Sequence, residues 1–310
     1  MAFTAQNVKE LREMTGVGMM DCKRALAETD GDMEKAVMYL REHGLAAAQK
    51  KAGRIAAEGI AYAAVIDDVG VVVEVNSETD FVAKNEMFTG FVAGVAEIVA
   101  KKAPADLDAL MACDYPGTEF TVAGQQQEMI VVIGENISVR RFVRYTEGLS
   151  IPYVHAGGKI GVIVNLETAD ISDIDAVTEL GKDIAMQIAA MRPLYLDTAS
   201  VDAQELEKEK EIQLTKAIEE NKAKNLPDDK ARQIAEKMVV GRLNKFYEDI
   251  CLMNQPFVKE NKLTVEKHVQ QVAKTLGGKI TVKAFTRFEK GEGIEKKQDD
   301  FAAEVAKMVN

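Results

Sequence analysis

Two stretches of this chain occur twice. G-V-V-V-E-V-N-S (residues 70–77) returns as G-V-I-V-N-L-E-T (161–168), 91 positions later, and I-S-V-R-R-F-V-R-Y-T-E-G (137–148) returns as I-T-V-K-A-F-T-R-F-E-K-G (280–291), 143 positions later. A duplicated strand-helix-strand subdomain explains both, so the chain must build the same small sheet twice. The larger second offset means that the second copy carries extra chain. Its home is 201–250, where two charge-rich helical patterns flank N-L-P at 225–227. They read as an antiparallel hairpin, with Leu206, Leu214 and Ile218 facing Ile234, Met238 and Leu243 along a narrow stripe. Either the hairpin projects from the globule or it packs on the sheet as an ordinary helical pair.

The remaining core elements follow from periodicity. G-I-A-Y-A-A-V-I and V-G-V-V-V-E-V-N read as strands joined at Asp67-Asp68, a hairpin by turn chemistry. Q-E-M-I-V-V-I and I-S-V-R-R-F-V-R-Y read as further strands, the second with its arginines on one face. Before them, residues 1–55 read as three short helices. Thr4 caps the first, which carries Val8, Leu11 and Met14 on one face and stops at Thr15-Gly16. The second follows Gly18, and the third opens at Asp32, carries Ala36, Val37 and Leu40, and ends before Gly44. Met19 and Met20, adjacent at a helix start, cannot both point into one core, so at least one should be exposed. The alanine-rich, basic segment after Gly44 reads as a linker. The fold class expected is therefore α+β: a helical unit (1–55), a core subdomain (56–147), its second copy (148–200 and 251–291), the inserted hairpin (201–250) and a C-terminal helical module (292–310). In that last segment Phe301, Val305 and Met308 make an unbroken stripe.

Composition narrows the function. With 39 Lys+Arg against 50 Asp+Glu the formal charge is −11, which argues against nucleic acid or an anionic membrane as partner and for a protein or small molecule. Cys22, Cys113 and Cys251 are too scattered for a disulfide framework or a metal site. The N-terminus lacks a targeting signal, no apolar run approaches the ~20 residues of a membrane span, and a cytoplasmic protein is expected. Catalytic signatures are missing. Gly158-Lys159, Gly181-Lys182 and Gly278-Lys279 lack the glycine a phosphate loop needs five positions earlier, and no G-x-S-x-G occurs. His43, His155 and His268 have no nearby Cys or second His. No enzyme, cofactor or metal is expected. His155, in the turn H-A-G-G-K, is either a contact residue or an ordinary exposed histidine.

N-S-E-T-D-F-V-A-K-N-E-M-F (76–88) raises a sharper question. Asp80 is a good N-cap supported by Thr79, and a helix should start at Phe81 with the stripe Phe88, Phe91, Val92, Val95, Ile98 and Val99. Lys84 and Asn85 interrupt that stripe before it reaches Phe81. Phe81 is then either a hydrophobic staple on Val75 or Val82, or an aromatic left at the surface for a partner.

Taken together, K-E-L-R-E-M-T-G-V-G-M-M-D-C-K-R-A-L, E-V-N-S-E-T-D-F-V-A-K-N, I-G-E-N-I-S-V-R-R, H-A-G-G-K-I-G-V, E-K-M-V-V-G-R, N-Q-P-F-V and R-F-E-K-G-E-G-I-E closely resemble the bacterial translation elongation factor Ts family, in order and over nearly the whole chain. The resemblance implies a guanine nucleotide exchange factor for elongation factor Tu, meeting it in GDP-bound and nucleotide-free states. It also implies that the N-terminal helices form a ubiquitin-associated-like bundle docking through Arg12, Met19 and Met20. Asp80 and Phe81, flanked by Thr79, Val82, Lys84 and Asn85, would enter the partner near its magnesium and phosphate site. Ile133 and Gly134 of I-G-E-N, with His155, match further contact regions, and the hairpin matches a coiled-coil or dimerisation insert, which admits a homodimer. A non-catalytic protein-binding adaptor is the alternative.

Overall fold

The computed structural model describes residues 3–222 and 227–295. The expected C-terminal helix, with Phe301, Val305 and Met308, lies outside the described residues from 296 onward, as do Asn225 and Leu226 of the hairpin turn. The chain forms two compact units, one from Met1–Arg144, Val154–Gly161 and Phe288–Asn310, the other from Tyr145–Tyr153 and Val162–Arg287.

The first unit begins with helices α1 (Ala5–Thr15), α2 (Met19–Glu28) and α3 (Met33–Lys51). Thr4 and Asn7 cap α1 reciprocally, and Gly16 ends it at φ +69°, a left-handed conformation glycine adopts without a Cβ penalty. Val8, Leu11, Cys22, Ala25, Leu26, Ala36 and Leu40 form its buried core. Met14 does not join them. It is exposed, and Thr15 takes the next inward position, bonding Leu11 O. Nor does the third helix stop at Gly44. It continues to Lys51 because Gly44 is a point of close approach: a Cβ there would stand 2.7 Å from Val131 Cγ2.

After α3 come strands β1 (Glu58–Ile66) and β2 (Val69–Ser77), paired antiparallel from Glu58↔Ser77 to Ile66↔Val69. Asp67 and Asp68 both have positive φ, as a two-residue hairpin turn with right-handed strand twist requires. Helices α4 (Glu86–Lys102), α5 (Leu107–Met111) and α6 (Val122–Ile133) follow, then β3 (Ser138–Tyr145), giving the order β1-β2-β3. The six expected stripe residues of α4 are all buried. Residues 127–133, read above as a strand, are the second half of α6. Thr121 caps that helix through Gly124 N, and Gly134 closes it at φ +88°. The apolar run suits a helix buried on two sides: Met129 and Ile130 enter the sheet-side core, while Val131 and Val132 pack on the N-terminal bundle. Packing here overrides the strand propensity of β-branched residues. The arginines of β3 also depart from expectation. Arg140 and Arg141 are adjacent, yet both reach the buried carboxylate of Glu74, while Arg144 donates to Ala100 O at the end of α4.

The second unit repeats the scheme. Strands β4 (Leu149–His155), β5 (Ile160–Ala169) and β8 (Lys279–Glu289) form a sheet in the order β4-β5-β8, so the two recurring sequences occupy equivalent strands: β2 with β5, β3 with β8. Helix α7 (Ile174–Met191) matches α4 in place along the chain, and α10 (Val265–Thr275) precedes β8 as α6 precedes β3. The extra chain is α8 (Ala203–Lys222), α9 (Asp228–Ile250) and the small ribbon β6 (Pro256–Phe257) and β7 (Glu260–Thr264). Helices α8 and α9 pack on each other rather than on the sheet. Their fully buried seam is Ala217, Asn221, Ala231 and Ala235, with the Asn221 amide donating to Ala231 O. Leu206, Leu214, Ile218, Met238 and Leu243 are half-buried, as a one-sided stripe should be. Ile234 is not part of it. It lies about 100° of helix rotation from Ala235 and about 60° from Ala231, at the edge of the seam, and is exposed.

Among the described residues the mix of ten α-helices and antiparallel sheets is α+β, as expected. Among the described residues no helix is long and apolar enough to cross a membrane.

Candidate functional site

The segment between β2 and α4 is held from below and open above. Ser77 Oγ donates to Thr79 O at 2.9 Å. Thr79 gives both donors to one carboxylate, its N–H to Glu135 Oε2 (2.9 Å) and its hydroxyl to Glu135 Oε1 (2.6 Å). The next residue returns the contact, Asn136 N donating to Glu78 Oε1 at 2.6 Å. The Asn136 amide also donates to Arg54 O, tying in the chain that leaves α3. The loop is therefore fastened to the turn that ends α6.

Phe81 leaves this clamp at φ −64°, ψ −43°, followed by a single 3-10 turn, Val82–Lys84. The α-helix starts later than the sequence suggested. Asn85, extended at ψ +131°, is its N-cap, with Oδ1 accepting from Met87 N, and Asp80 instead forms a 3.5 Å ion pair with Lys84. The reason is packing: Val82 and Ala83 turn into the core, which an α-helix beginning at Phe81 would rotate away. Val82 is thus an anchor of the loop rather than part of its surface.

Phe81 is 80% exposed and is not among the residues of the buried core that holds Val75 and Val82. The staple reading fails, since a staple must bury its ring. Thr79 is half-buried, Asp80, Lys84 and Asn85 are exposed, and Met87, which the sequence reading passed over, is 49% exposed beside them. Its signal was present: Met87 directly precedes the first buried residue of the α4 stripe and lies off it.

The N-terminal bundle presents a second surface. Arg12 is exposed, and Met19 and Met20 are 52% and 69% exposed, so both methionines face outward, in agreement with the expectation that at least one would. Met14 and Met38 are exposed on the same bundle. Helix α6 joins this bundle to the Phe81 loop: Gly16 and Gly44 approach Val132 and Val131, and the turn after Ile133 carries Glu135 and Asn136. Of the I-G-E-N residues, Ile133 packs against the core and Gly134 is exposed at the helix end. His155 is exposed at the end of β4, where Ala156–Gly158 turns the chain with Gly157 at φ +64°.

Among the described residues no group of three or more His, Cys, Asp or Glu side chains is placed to hold a metal ion. The buried thiols of Cys22 and Cys251 are pushed up by burial, Cys251 to about 11. The arrangement presents an exposed aromatic on a loop hydrogen-bonded to the end of α6, and exposed methionines on a bundle that packs on the same helix.

The family model described as Elongation factor TS matches residues 78–292, beginning two residues before Asp80. Proteins named Elongation factor Ts from Syntrophotalea carbinolica and Magnetococcus marinus are each 49% identical, over 310 and 311 residues, covering 99% and 100% of this chain and 99% of each relative. One from Clostridium perfringens strain SM101 is 50% identical over 310 residues, 99% of both chains. With a clamped, outward-pointing Phe81 inside the matched region, the chain belongs to the elongation factor Ts family and has a role in translation elongation.

Proposed function

We propose that this protein is a guanine nucleotide exchange factor that binds elongation factor Tu in its GDP-bound and nucleotide-free states and promotes GDP release. It makes and breaks no covalent bond. The observation that carries this reading is Phe81, a large apolar ring held 80% exposed on a loop whose backbone is fastened by the Glu135 carboxylate. An exposed aromatic on a rigid support gains burial on docking while losing little conformational entropy.

An exchange factor must bind the nucleotide-free partner more tightly than the nucleotide-bound one. By linkage, the factor by which it weakens nucleotide binding equals the factor by which nucleotide weakens its own binding. Each tenfold requires ~1.4 kcal/mol, and burying one Phe contributes roughly 1.5–3 kcal/mol. Phe81 alone therefore supplies about one to two decades. Larger coupling comes from displacing the partner's magnesium-holding or phosphate-binding elements, where the ion is among the largest local charges. Asp80 suits this role because its surface pair with Lys84 is weak and readily exchanged. Arg12, Met19 and Met20 supply anchoring affinity, with His155, Ile133 and Gly134 as further contacts. Methionine suits such a surface because its flexible thioether adapts to an irregular partner.

The test is release of a fluorescent GDP analogue from preloaded elongation factor Tu. Wild type should accelerate release, and Phe81→Ala should lose most of that acceleration while retaining most of its affinity. Met19→Ala with Met20→Ala should show the reverse balance. Binding without any acceleration would instead identify an adaptor.

A further inference from the structure

We infer that Glu135 is a positioning residue for exchange: it touches no nucleotide, and acts by holding the Phe81 loop in the geometry that docks. This rests on the wedge role proposed for Phe81. Glu135 and Asn136 follow α6, while Glu78 and Thr79 follow β2, and nearly sixty residues of chain separate the two pairs. Yet they are joined by three short hydrogen bonds in both directions, Thr79 N and Oγ1 to the two oxygens of Glu135, and Asn136 N to Glu78. The loop has few other tethers. On its C-terminal side Val82 and Ala83 are buried and Lys84 N donates to Phe81 O at 3.1 Å, while on its β2 side Ser77 Oγ donates to Thr79 O.

Glu135 therefore sets the direction in which the chain leaves β2, and Phe81 is two residues beyond the clamp. A rotation there would move the ring by far more than the displacement at Thr79. One carboxylate takes both Thr79 donors, so removing it frees both at once. The clamp also couples the loop to the bundle, since α6 carries both Glu135 at its end and the valines that receive Gly16 and Gly44. Preorganisation of this kind lowers the ordering cost of docking without adding a contact.

The experiment compares Glu135→Ala, Glu135→Gln, Phe81→Ala and the double variant Phe81→Ala/Glu135→Ala in full-length protein. The first readout needs no partner: amide hydrogen exchange at Thr79 should speed up by about tenfold or more in Glu135→Ala, the size of a lost charge-assisted hydrogen bond, while the α4 amides stay protected. The second is the concentration dependence of stimulated GDP release. Glu135→Ala should lower the maximal rate more than it raises the half-saturating concentration, Glu135→Gln should recover most of the loss because its amide can still bond Thr79 twice, and Glu135→Ala should add little in the Phe81→Ala background. Losses that add independently in the double variant, or a maximal rate unchanged in Glu135→Ala, would overturn the positioning role while leaving Phe81 as wedge. If Phe81→Ala itself leaves release unchanged, the wedge reading fails first. Global loss of α4 protection in Glu135→Ala would show a structural residue and overturn the inference as well.

Discussion

Glu74 sits in the middle of β2 with no exposed surface, and its carboxylate is fully engaged. Oε1 accepts from Arg140 Nη1 (2.9 Å), Asn76 Nδ2 (3.1 Å) and Gly291 N (2.8 Å), and Oε2 accepts from Arg141 Nε (2.5 Å). One side chain thus fastens β3 and the segment around Gly291 to β2. Glu74→Ala would strip four donors of their acceptor. Breaking a buried charge pair typically costs about 3–5 kcal/mol, and the lower end applies because the two arginine side chains are about 30% exposed and can recover water. About 3 kcal/mol, in a unit of this size, corresponds to a fall in Tm of roughly 6–12 °C. Circular dichroism melting measures it, since the chain contains no tryptophan to report by fluorescence. A companion variant, Glu74→Leu with Arg140→Met and Arg141→Met, should recover much of the loss by removing the stranded charges along with their partner. A Tm within 2 °C of wild type for Glu74→Ala, or no recovery in the triple variant, would refute the argument that this carboxylate is the organising charge of the unit.

Other outcomes follow from single observations. Gly291 has φ +69°, and a Cβ there would stand 2.1 Å from Ala57 O, so Gly291→Ala should cost at least about 2 kcal/mol in melting experiments, more than the left-handed conformation alone explains. Cys251, pushed up to about 11 by burial, and Cys22, raised for the same reason, should both resist alkylation at pH 8 in the folded protein and react once it is unfolded. His268, stacked on Phe257 at 4.1 Å, has its pKa lowered first by desolvation. Its neutral form is the stable one, so its contribution is fully present above about pH 6.5 and is lost as the pH falls below that value; His268→Gln should flatten the loss seen by melting between pH 7 and 5.

Much of this molecule is legible along the chain. The recurrence of two strand sequences specifies two like sheets, because equivalent sequences meet equivalent packing demands. Thr4, Gly16 and Asp67-Asp68 mark their caps and turn through local hydrogen bonding and φ preferences that need no distant partner. Phe81 drew attention through a break in a stripe, a local pattern. Its exposure was not decidable there, because a ring beside an apolar strand can fold back or point out, and only the packing of Val82 and Ala83 settles which.

What the chain order could not convey is whatever depends on residues far apart. The run at 127–133 reads as a strand because its β-branched content is strand-like, and it became a helix since two cores, one on each side, take alternate faces of it. Gly44 reads as a stop signal, yet it is the notch that admits Val131. Asp80 reads as the helix cap, but burying Val82 delays the helix to Asn85. The bond from Thr79 to Glu135 joins positions with no periodic relation at all. Local sequence determines caps, turns and amphipathic faces because their energetics close within one or two turns of chain; the tertiary structure alone decides which face meets which partner, and so where Phe81 points.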